Sequence, residues 1–145
     1  MMFHFTASSH PESRQRLNLL IEQYGQNAIE HADTIIVLGG DGQMLHSMRE
    51  AISVNKPIFG MNCGRVGFLM NDFASDKLEE RVGAAISAQL HPLRLTATDC
   101  TGQRQEALAI NEISLLRQTH NAAHCSIYVN EVQQIELLEC DGVMI

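Results

Sequence analysis

Three glycines and one carboxylate lie together where an apolar run gives way to a helical pattern: Gly39, Gly40, Asp41 and Gly42 directly follow residues 34–38. Because glycine has no Cβ, phosphate oxygens can approach the backbone N–H groups here and the positive end of the next helix. Asp41 could accept a proton or face a metal ion. The motif therefore predicts a phosphate and hydroxyl site. The alternative is a strand-to-helix turn in which glycine supplies unusual dihedral angles and Asp41 caps the helix.

A second polar pair, Asn111 and Glu112, interrupts an otherwise apolar segment over residues 107–116. An amide and a carboxylate in such a setting cost free energy unless each has a partner, so we expect them to face a polar ligand or each other's backbone. A carboxylate that accepts from two vicinal hydroxyls, beside an amide that donates to a base or phosphate oxygen, suits a ribose. The alternative is a bulge or strand end at which both side chains point to water.

The cysteines support neither a disulfide framework nor a zinc site. They are irregularly spaced and form no Cys-x-x-Cys pair: Cys63, Cys100, Cys125 and Cys140. We therefore expect small buried thiols in a reducing compartment. We assign no residue to a metal.

Composition narrows the class of protein further. The 145 residues, of which 45% are hydrophobic, can bury a core. With 10 basic and 17 acidic residues, the formal net charge of −7 argues against a nucleic-acid partner. No stretch approaches the ~20 apolar residues that cross a bilayer, and the amino terminus lacks the pattern of a secretory signal. We therefore expect no membrane span and a cytoplasmic protein.

The elements that must position these residues alternate between strand and helix over the first ninety residues. The patterns predict strands over 2–7, 32–38 and 57–62 and helices over 11–26, 44–55 and 78–90. This order predicts a parallel sheet with right-handed crossovers, and the loops at 39–42 and 63–69 would then both open at its carboxyl edge.

After residue 92 the pattern changes to strands alone. We predict strands over 93–98, 106–116 and 141–145, and a hairpin of 126–129 with 132–138 around Asn130 and Glu131. The predicted organisation is thus an α/β domain over residues 1–90 and the opening strands of an incomplete all-β domain over 91–145.

Together these motifs resemble a known family. The Gly-Gly-Asp-Gly motif at 39–42, the glycine loop at 64–69, Asn111-Glu112 and Asp141-Gly142 are similar in order and spacing to those of the NAD kinases, most of all the bacterial ATP-NAD kinases. The resemblance covers nearly the whole chain. It implies an NAD kinase/diacylglycerol kinase-like fold and transfer of a phosphoryl group from ATP to the 2′-hydroxyl of the adenosine ribose of NAD, giving NADP, with Mg²⁺ or another divalent metal.

The resemblance also implies roles for single residues. Asp41 would be the general base that orients or deprotonates the hydroxyl, Phe68 would lie against the adenine, and Asp141 would contact the nicotinamide end. The remaining candidates would give the phosphates room, namely Gly39, Gly40 and Gly42, or hold the adenosine portion, namely Asn111 and Glu112. The family further implies a homodimer or homotetramer.

Departures from the family pattern leave two other readings open. Gln43 and Asn71 stand where threonine is usual, Cys140 stands where glycine is usual, and a glycine- and threonine-rich motif that follows in the family is missing. We therefore expect a truncated amino-terminal portion that is inactive alone. The alternatives are a noncatalytic nucleotide-binding or oligomerisation fragment, and a lipid or sugar kinase of the same superfamily, which would leave Asn111 and Glu112 unexplained.

Overall fold

The computed structural model describes residues 1–64 and 67–145 and divides the chain into two compact units, Met1–Leu90 and His91–Ile145. The first unit alternates strand and helix in the order β1 (Phe3–Ala7), α1 (Pro11–Tyr24), β2 (Thr34–Gly39), α2 (Asp41–Val54), β3 (Ile58–Asn62) and α3 (Leu78–Ala84). The part of the second glycine loop at 65–66 lies outside the described residues.

The three strands of the first unit form a parallel sheet in the order β1-β2-β3. All six residues of β2 are buried, because this strand has a neighbour on each side and helices α1 and α2 pack on it. A parallel strand covered on both faces is expected to read as an unbroken apolar run. The predicted parallel α/β sheet is confirmed.

Local signals explain where the first two helices begin and end. Pro11 opens α1, where its missing N–H costs nothing, and Gly25 ends it with a φ of 75°. The α2 helix ends before Asn55, which is left-handed with a φ of 51°, and Pro57 follows two residues later. Residues from the sheet and the helices then share one core: Phe3, Phe5, Leu17, Leu20, Ile36, Leu38, Phe59, Met61, Cys63 and Leu78.

The helix predicted over 78–90 is wrong in its length, because α3 ends at Ala84. Leu78 is fully buried, but the side chain of Ile86 is 98% exposed, so the later apolar positions gain nothing from continuing the helix. Gly83 adds a cost of about 1 kcal/mol relative to alanine. The short helix is fixed near its start by the Tyr24 hydroxyl, which accepts from the Leu78 N–H at 3.2 Å and donates to the Ser75 carbonyl at 2.8 Å.

The second unit, whose residues are all described, contains only strands. These are β4 (Leu93–Thr98), β5 (Arg104–Ala109), β6 (Ser114–Leu116), β7 (Ala123–Val129), β8 (Val132–Cys140) and β9 (Gly142–Met144). They pair antiparallel as β4-β5, β6-β9 and β7-β8. The predicted hairpin is confirmed, and its turn residues Asn130 and Glu131 have positive φ of 49° and 67°, the signature of the tight turn whose twist matches two strands. No helix among the described residues is long and apolar enough to span a membrane.

The single strand predicted over 106–116 is wrong, because β5 ends at Ala109 and β6 begins at Ser114. The two pieces pair with different partners, β4 and β9. The break holds Asn111 and Glu112, two residue types that are depleted in strands. The polar pair thus ends one strand rather than lying inside a longer one.

Candidate functional site

The glycine motif of the first unit lies where β2 ends and α2 begins. Gly39 is the last residue of β2, Gly40 caps α2 and Asp41 is its first residue. A Cβ on Gly39 would lie 2.9 Å from the Gln43 Cβ, so glycine is required there for packing. For Gly40 and Gly42, by contrast, no heavy atom of the described residues lies within 4 Å of the position of an added Cβ, apart from chain neighbours and the backbone of α2. Two of the three glycines therefore leave open space beside the amino terminus of α2.

A cavity of about 190 Å³ opens at the same edge of the sheet. Its lining comes from the carboxyl ends of all three strands and the start of α1: Ser8, His10, Glu12, Ser13, Gly39, Gly40, Asn62, Cys63 and Gly64. The Ser8 hydroxyl donates to the Ser13 hydroxyl at 2.8 Å. The Cys63 N–H donates to the Gly39 carbonyl at 2.9 Å, which joins the start of the second glycine loop to the first motif. The structure thus brings the two loops together, as the carboxyl-edge rule predicts.

The carboxylate of Asp41 binds the second glycine loop with both of its oxygens. Oδ2 accepts from the Phe68 N–H and Oδ1 from the Leu69 N–H, each at 2.9 Å. A Cβ on Gly67 would lie 2.7 Å from Oδ1, so this approach depends on glycine at 67. The alternative in which Asp41 caps α2 is wrong, because Gly40 holds the cap position and the carboxylate faces the loop. We call this pair of hydrogen bonds the Asp41 latch.

The two hydrogen bonds of the Asp41 latch leave the carboxylate able to bind a ligand as well. An ionised carboxylate offers about four acceptor positions, and the two amides use one on each oxygen. The side chain is half-buried, so water or a ligand can still reach it. The neighbouring Phe68 is fixed through its backbone while its ring is 98% exposed. The latch therefore places a carboxylate with spare acceptor capacity beside an open aromatic face.

Asn111 and Glu112 belong to the second unit, in the bend between β5 and β6. Both are exposed, and the Asn111 side-chain amide donates to the Glu112 carboxylate. The structure therefore has the alternative arrangement, in which Asn111 and Glu112 follow the end of a strand and are exposed to water. The role of this pair in holding a ribose stays a prediction.

Asp141 lies at the junction of β8 and β9 and forms an ion pair with Arg117, whose Nε is 2.7 Å from Oδ1. The backbone is joined there too, since the Arg117 N–H donates to the Asp141 carbonyl at 2.9 Å. A Cβ on the following Gly142 would lie 1.9 Å from the Leu115 carbonyl oxygen, so only glycine fits. A cleft of about 340 Å³ borders this junction, lined by Arg117, His120, Ala122, Glu139, Cys140 and Asp141.

Several of these partners were missed by reasoning from sequence. Ser8 and Ser13 line the first cavity. The only feature of the sequence that pointed to them is the position of Ser8 directly after the first strand. Arg117 carries no motif, and its link to Asp141 follows from the pairing of β6 with β9. Within the described residues no group of three or more histidine, cysteine or acidic side chains could hold a metal ion.

Comparison with known proteins gives a consistent result. The model of the ATP-NAD kinase N-terminal domain matches residues 1–86. A protein of Hyphomonas neptunium named NAD kinase is 50% identical over 141 residues, which is 97% of this chain and 55% of that protein. NAD kinases of Brucella melitensis and Caulobacter vibrioides are 44% and 45% identical, over 100% and 97% of this chain and 56% and 54% of theirs. The chain spans about half the length of the curated relatives it matches.

Proposed function

Because this chain belongs to the ATP-NAD kinase family, we propose that the protein transfers a phosphoryl group from ATP to the 2′-hydroxyl of the adenosine ribose of NAD, giving NADP. The Asp41 latch is the observation that carries the proposal. It holds the only carboxylate of the Gly-Gly-Asp-Gly motif against the loop that bears Phe68. A site for an adenosine ribose requires a group that accepts a hydrogen bond from the hydroxyl and an aromatic surface nearby, and Asp41 and Phe68 provide these two groups.

Asp41 acts on the hydroxyl that receives the phosphoryl group. Phosphoryl transfer depends mainly on positioning and on neutralising charge, so a carboxylate that orients this hydroxyl and takes its proton is the main demand on the protein. The Phe68 N–H donates to Oδ2, so the backbone that carries the ring is held beside the carboxylate. An adenine that packs against the Phe68 ring would bring the ribose attached to it toward Asp41. The adenine and the hydroxyl on which Asp41 acts would then belong to the same nucleoside.

The phosphates of the nucleotides lie in the open space beside Gly40 and Gly42, near the amino terminus of α2. Mg²⁺, or another divalent metal, commonly binds through one or two carboxylates together with substrate phosphates and waters. The spare acceptor positions of Asp41 fit that kind of ion, which when bound neutralises charge on the transferred group. Gly39 supports this arrangement indirectly, since a Cβ at this position would lie 2.9 Å from the Cβ of Gln43 in the first turn of α2 and 3.4 Å from the Cβ of Ser8.

We also propose roles for three residues of the second unit. We assign Asn111 and Glu112 to the adenosine portion of NAD and Asp141 to its nicotinamide end. The cleft of about 340 Å³ beside Asp141 supports that assignment, because it offers a charged pair, Asp141 with Arg117, next to accessible volume. We also propose that the protein is cytoplasmic and forms a homodimer or homotetramer. The apolar side chains that the second unit exposes, such as Leu116 and Val132, support the association of copies.

The test compares the 145-residue chain with a longer protein that contains this sequence and has the full length of the relatives. Each is incubated with ATP, NAD and Mg²⁺, and NADP is measured by an NADP-specific dehydrogenase. We expect NADP from the longer protein and none from its Asp41→Ala variant. A lipid or sugar kinase would instead phosphorylate diacylglycerol or a sugar phosphate and make no NADP. A noncatalytic fragment would bind NAD without turnover in either form.

A further inference from the structure

Two cysteines that stand 15 residues apart in sequence bring their sulfur atoms together in the second unit. Cys125 lies within β7 and Cys140 ends β8, and their Sγ atoms are 3.8 Å apart. Both side chains are half-buried, whereas the other thiol of this unit, Cys100, is exposed. Nothing in the sequence spacing indicates the pair, because it arises from the hairpin register.

The register places both sulfurs on one face of the hairpin. Ala123 is opposite Cys140 and Cys125 is opposite Leu138, so the cysteines are diagonal neighbours. A disulfide needs an S–S distance of about 2 Å, so the two sulfurs must approach by a further ~2 Å. The register is irregular directly after Cys125, between it and Ile127. A bulge disrupts the ladder locally and lets the strand bend, which gives the pair the freedom to close.

The contact also affects the chemistry of the reduced pair. The hydrogen bond with the Cys140 thiol raises the pKa of the Cys125 thiol above its ordinary value, and burial adds to this. Cys125 therefore keeps its proton at neutral pH. The Cys140 thiol has a further acceptor in the Ala123 carbonyl at 3.8 Å. The pair is thus held as two adjacent thiols until an oxidant reaches it.

We infer that Cys125 and Cys140 are a redox-reactive pair that closes into an intramolecular disulfide on exchange with a low-molecular-weight disulfide such as oxidised glutathione. The thiolate of one cysteine attacks the external disulfide, forms a mixed disulfide and releases one glutathione thiol. The sulfur of the other cysteine then attacks the mixed disulfide and releases the second. The two cysteines lose two electrons and two protons, and the external disulfide is reduced to two thiols.

Closure would change the cleft beside Asp141. Cys140 lines that cleft and directly precedes Asp141, whose partner is Arg117. Drawing the Cys140 sulfur toward β7 moves one wall of the cleft and the backbone that leads to the carboxylate. The inference concerns the thiols alone and does not depend on the reaction proposed above.

The test uses the 145-residue chain at low concentration in glutathione buffers of increasing oxidised fraction. Free thiols are trapped by alkylation, and peptides are identified by mass spectrometry. We expect a Cys125–Cys140 linked peptide in the parent chain and equally in Cys100→Ser, the matched control. In Cys125→Ser and Cys140→Ser the linked peptide is absent and glutathione stays on the remaining cysteine. Cys125→Ala provides a second variant should the serine disturb the hairpin.

A second readout follows the cleft. Backbone amide NMR signals of Asp141 and Gly142 should shift on oxidation and return on reduction with dithiothreitol in the parent chain, but not in a variant that carries both Cys125→Ser and Cys140→Ser. The inference is overturned if Cys125 and Cys140 remain alkylated in buffers that already modify Cys100. It is equally overturned if their only disulfides join separate chains.

Discussion

Replacing Gly67 with alanine should break the Asp41 latch while leaving the first unit folded. The new Cβ would lie 2.7 Å from Asp41 Oδ1 and 3.2 Å from the Met70 Cγ. To reach ordinary van der Waals contact, Oδ1 must retreat by about 0.7 Å. The hydrogen bond from the Leu69 N–H, now 2.9 Å, would then stretch to as much as about 3.6 Å, where no hydrogen bond remains.

Two magnitudes follow from that displacement. Overpacking costs typically about 1–3 kcal/mol in a well-packed interior, and the loop can yield, so we expect the lower end for the free energy of unfolding. The effect on turnover is larger, because a misplacement of about 1 Å can reduce a rate by ~10²-fold. We therefore expect NADP formation to fall by about two orders of magnitude with a small change in melting temperature.

The assay has a control outside the loop. Apart from its own helix and chain neighbours, no heavy atom of the described residues lies within 4 Å of a Cβ added to Gly83 in α3, so Gly83→Ala should form NADP like the parent. NADP formation is measured in the longer protein, and amide hydrogen exchange of Phe68 and Leu69 in the 145-residue chain. Faster exchange at both amides in Gly67→Ala alone is expected. Parent-like exchange together with NADP formation within a few-fold would refute the latch as a positioning device.

Three further predictions concern other groups. Asp41→Asn replaces one of the two latch oxygens with an amino group and removes the proton acceptor, so we expect a ~10²–10⁴-fold loss of NADP formation with an unchanged circular dichroism spectrum; near-parent activity would remove Asp41 from the reaction. Glu112→Gln should weaken NAD binding by about 1–3 kcal/mol in calorimetric titration, whereas Cys100→Ser should not, and equal affinities would contradict the ribose role. The hydrogen bond from the Thr101 hydroxyl, followed by bonds from nearby backbone N–H groups, lowers the pKa of Asp99. The stability it gives should be complete above its unfolded-state pKa and disappear as the pH falls through the lowered folded-state value; thermal unfolding of Asp99→Asn should lack this loss at acid pH.

The sheet of the first unit could be predicted because its signal is local and continuous. Residues 35–38 are all apolar in sequence and are all fully buried in the structure. A run of this kind, bounded by a glycine motif, specifies a covered parallel strand. The rule that carboxyl ends of parallel strands share one edge then placed the two glycine loops together, and the Cys63–Gly39 hydrogen bond joins them.

The Asp41 latch could not be predicted, because its donors are backbone N–H groups 27 and 28 residues away. Every residue except proline carries such a donor, so the sequence contains no side-chain signature for the contact. The one available signal was Gly67, since a glycine in a loop can mark a close approach of backbone to another group. Similarly, Arg117 and Asp141 meet through strand pairing, which residue types alone do not determine.

The predicted boundaries of elements were wrong where burial, rather than the spacing of apolar residues, determines the end of an element. Ile86 continues the helical spacing of Leu78 and Val82, but it is 98% exposed and α3 ends before it. The apolar residues around Asn111 predicted one strand, but the structure has two strands there, and β5 pairs with β4 whereas β6 pairs with β9. In both places the sequence has the apolar pattern of a longer element, but the packing that would stabilise the longer element is absent from the described residues.

The hydroxyl of Tyr24, bonded to Ser75 and Leu78, gives the chain a built-in optical probe. The protein has two tyrosines and no tryptophan, so ultraviolet emission comes from tyrosine alone. Tyr24 belongs to the first unit and Tyr128, which is exposed, to the second. In a Tyr128→Phe variant the remaining emission would report on the surroundings of Tyr24 in the first unit, including its bonds to Ser75 and Leu78. In a Tyr24→Phe variant it would report on the second unit, so the melting of the two units could be followed separately without any attached dye.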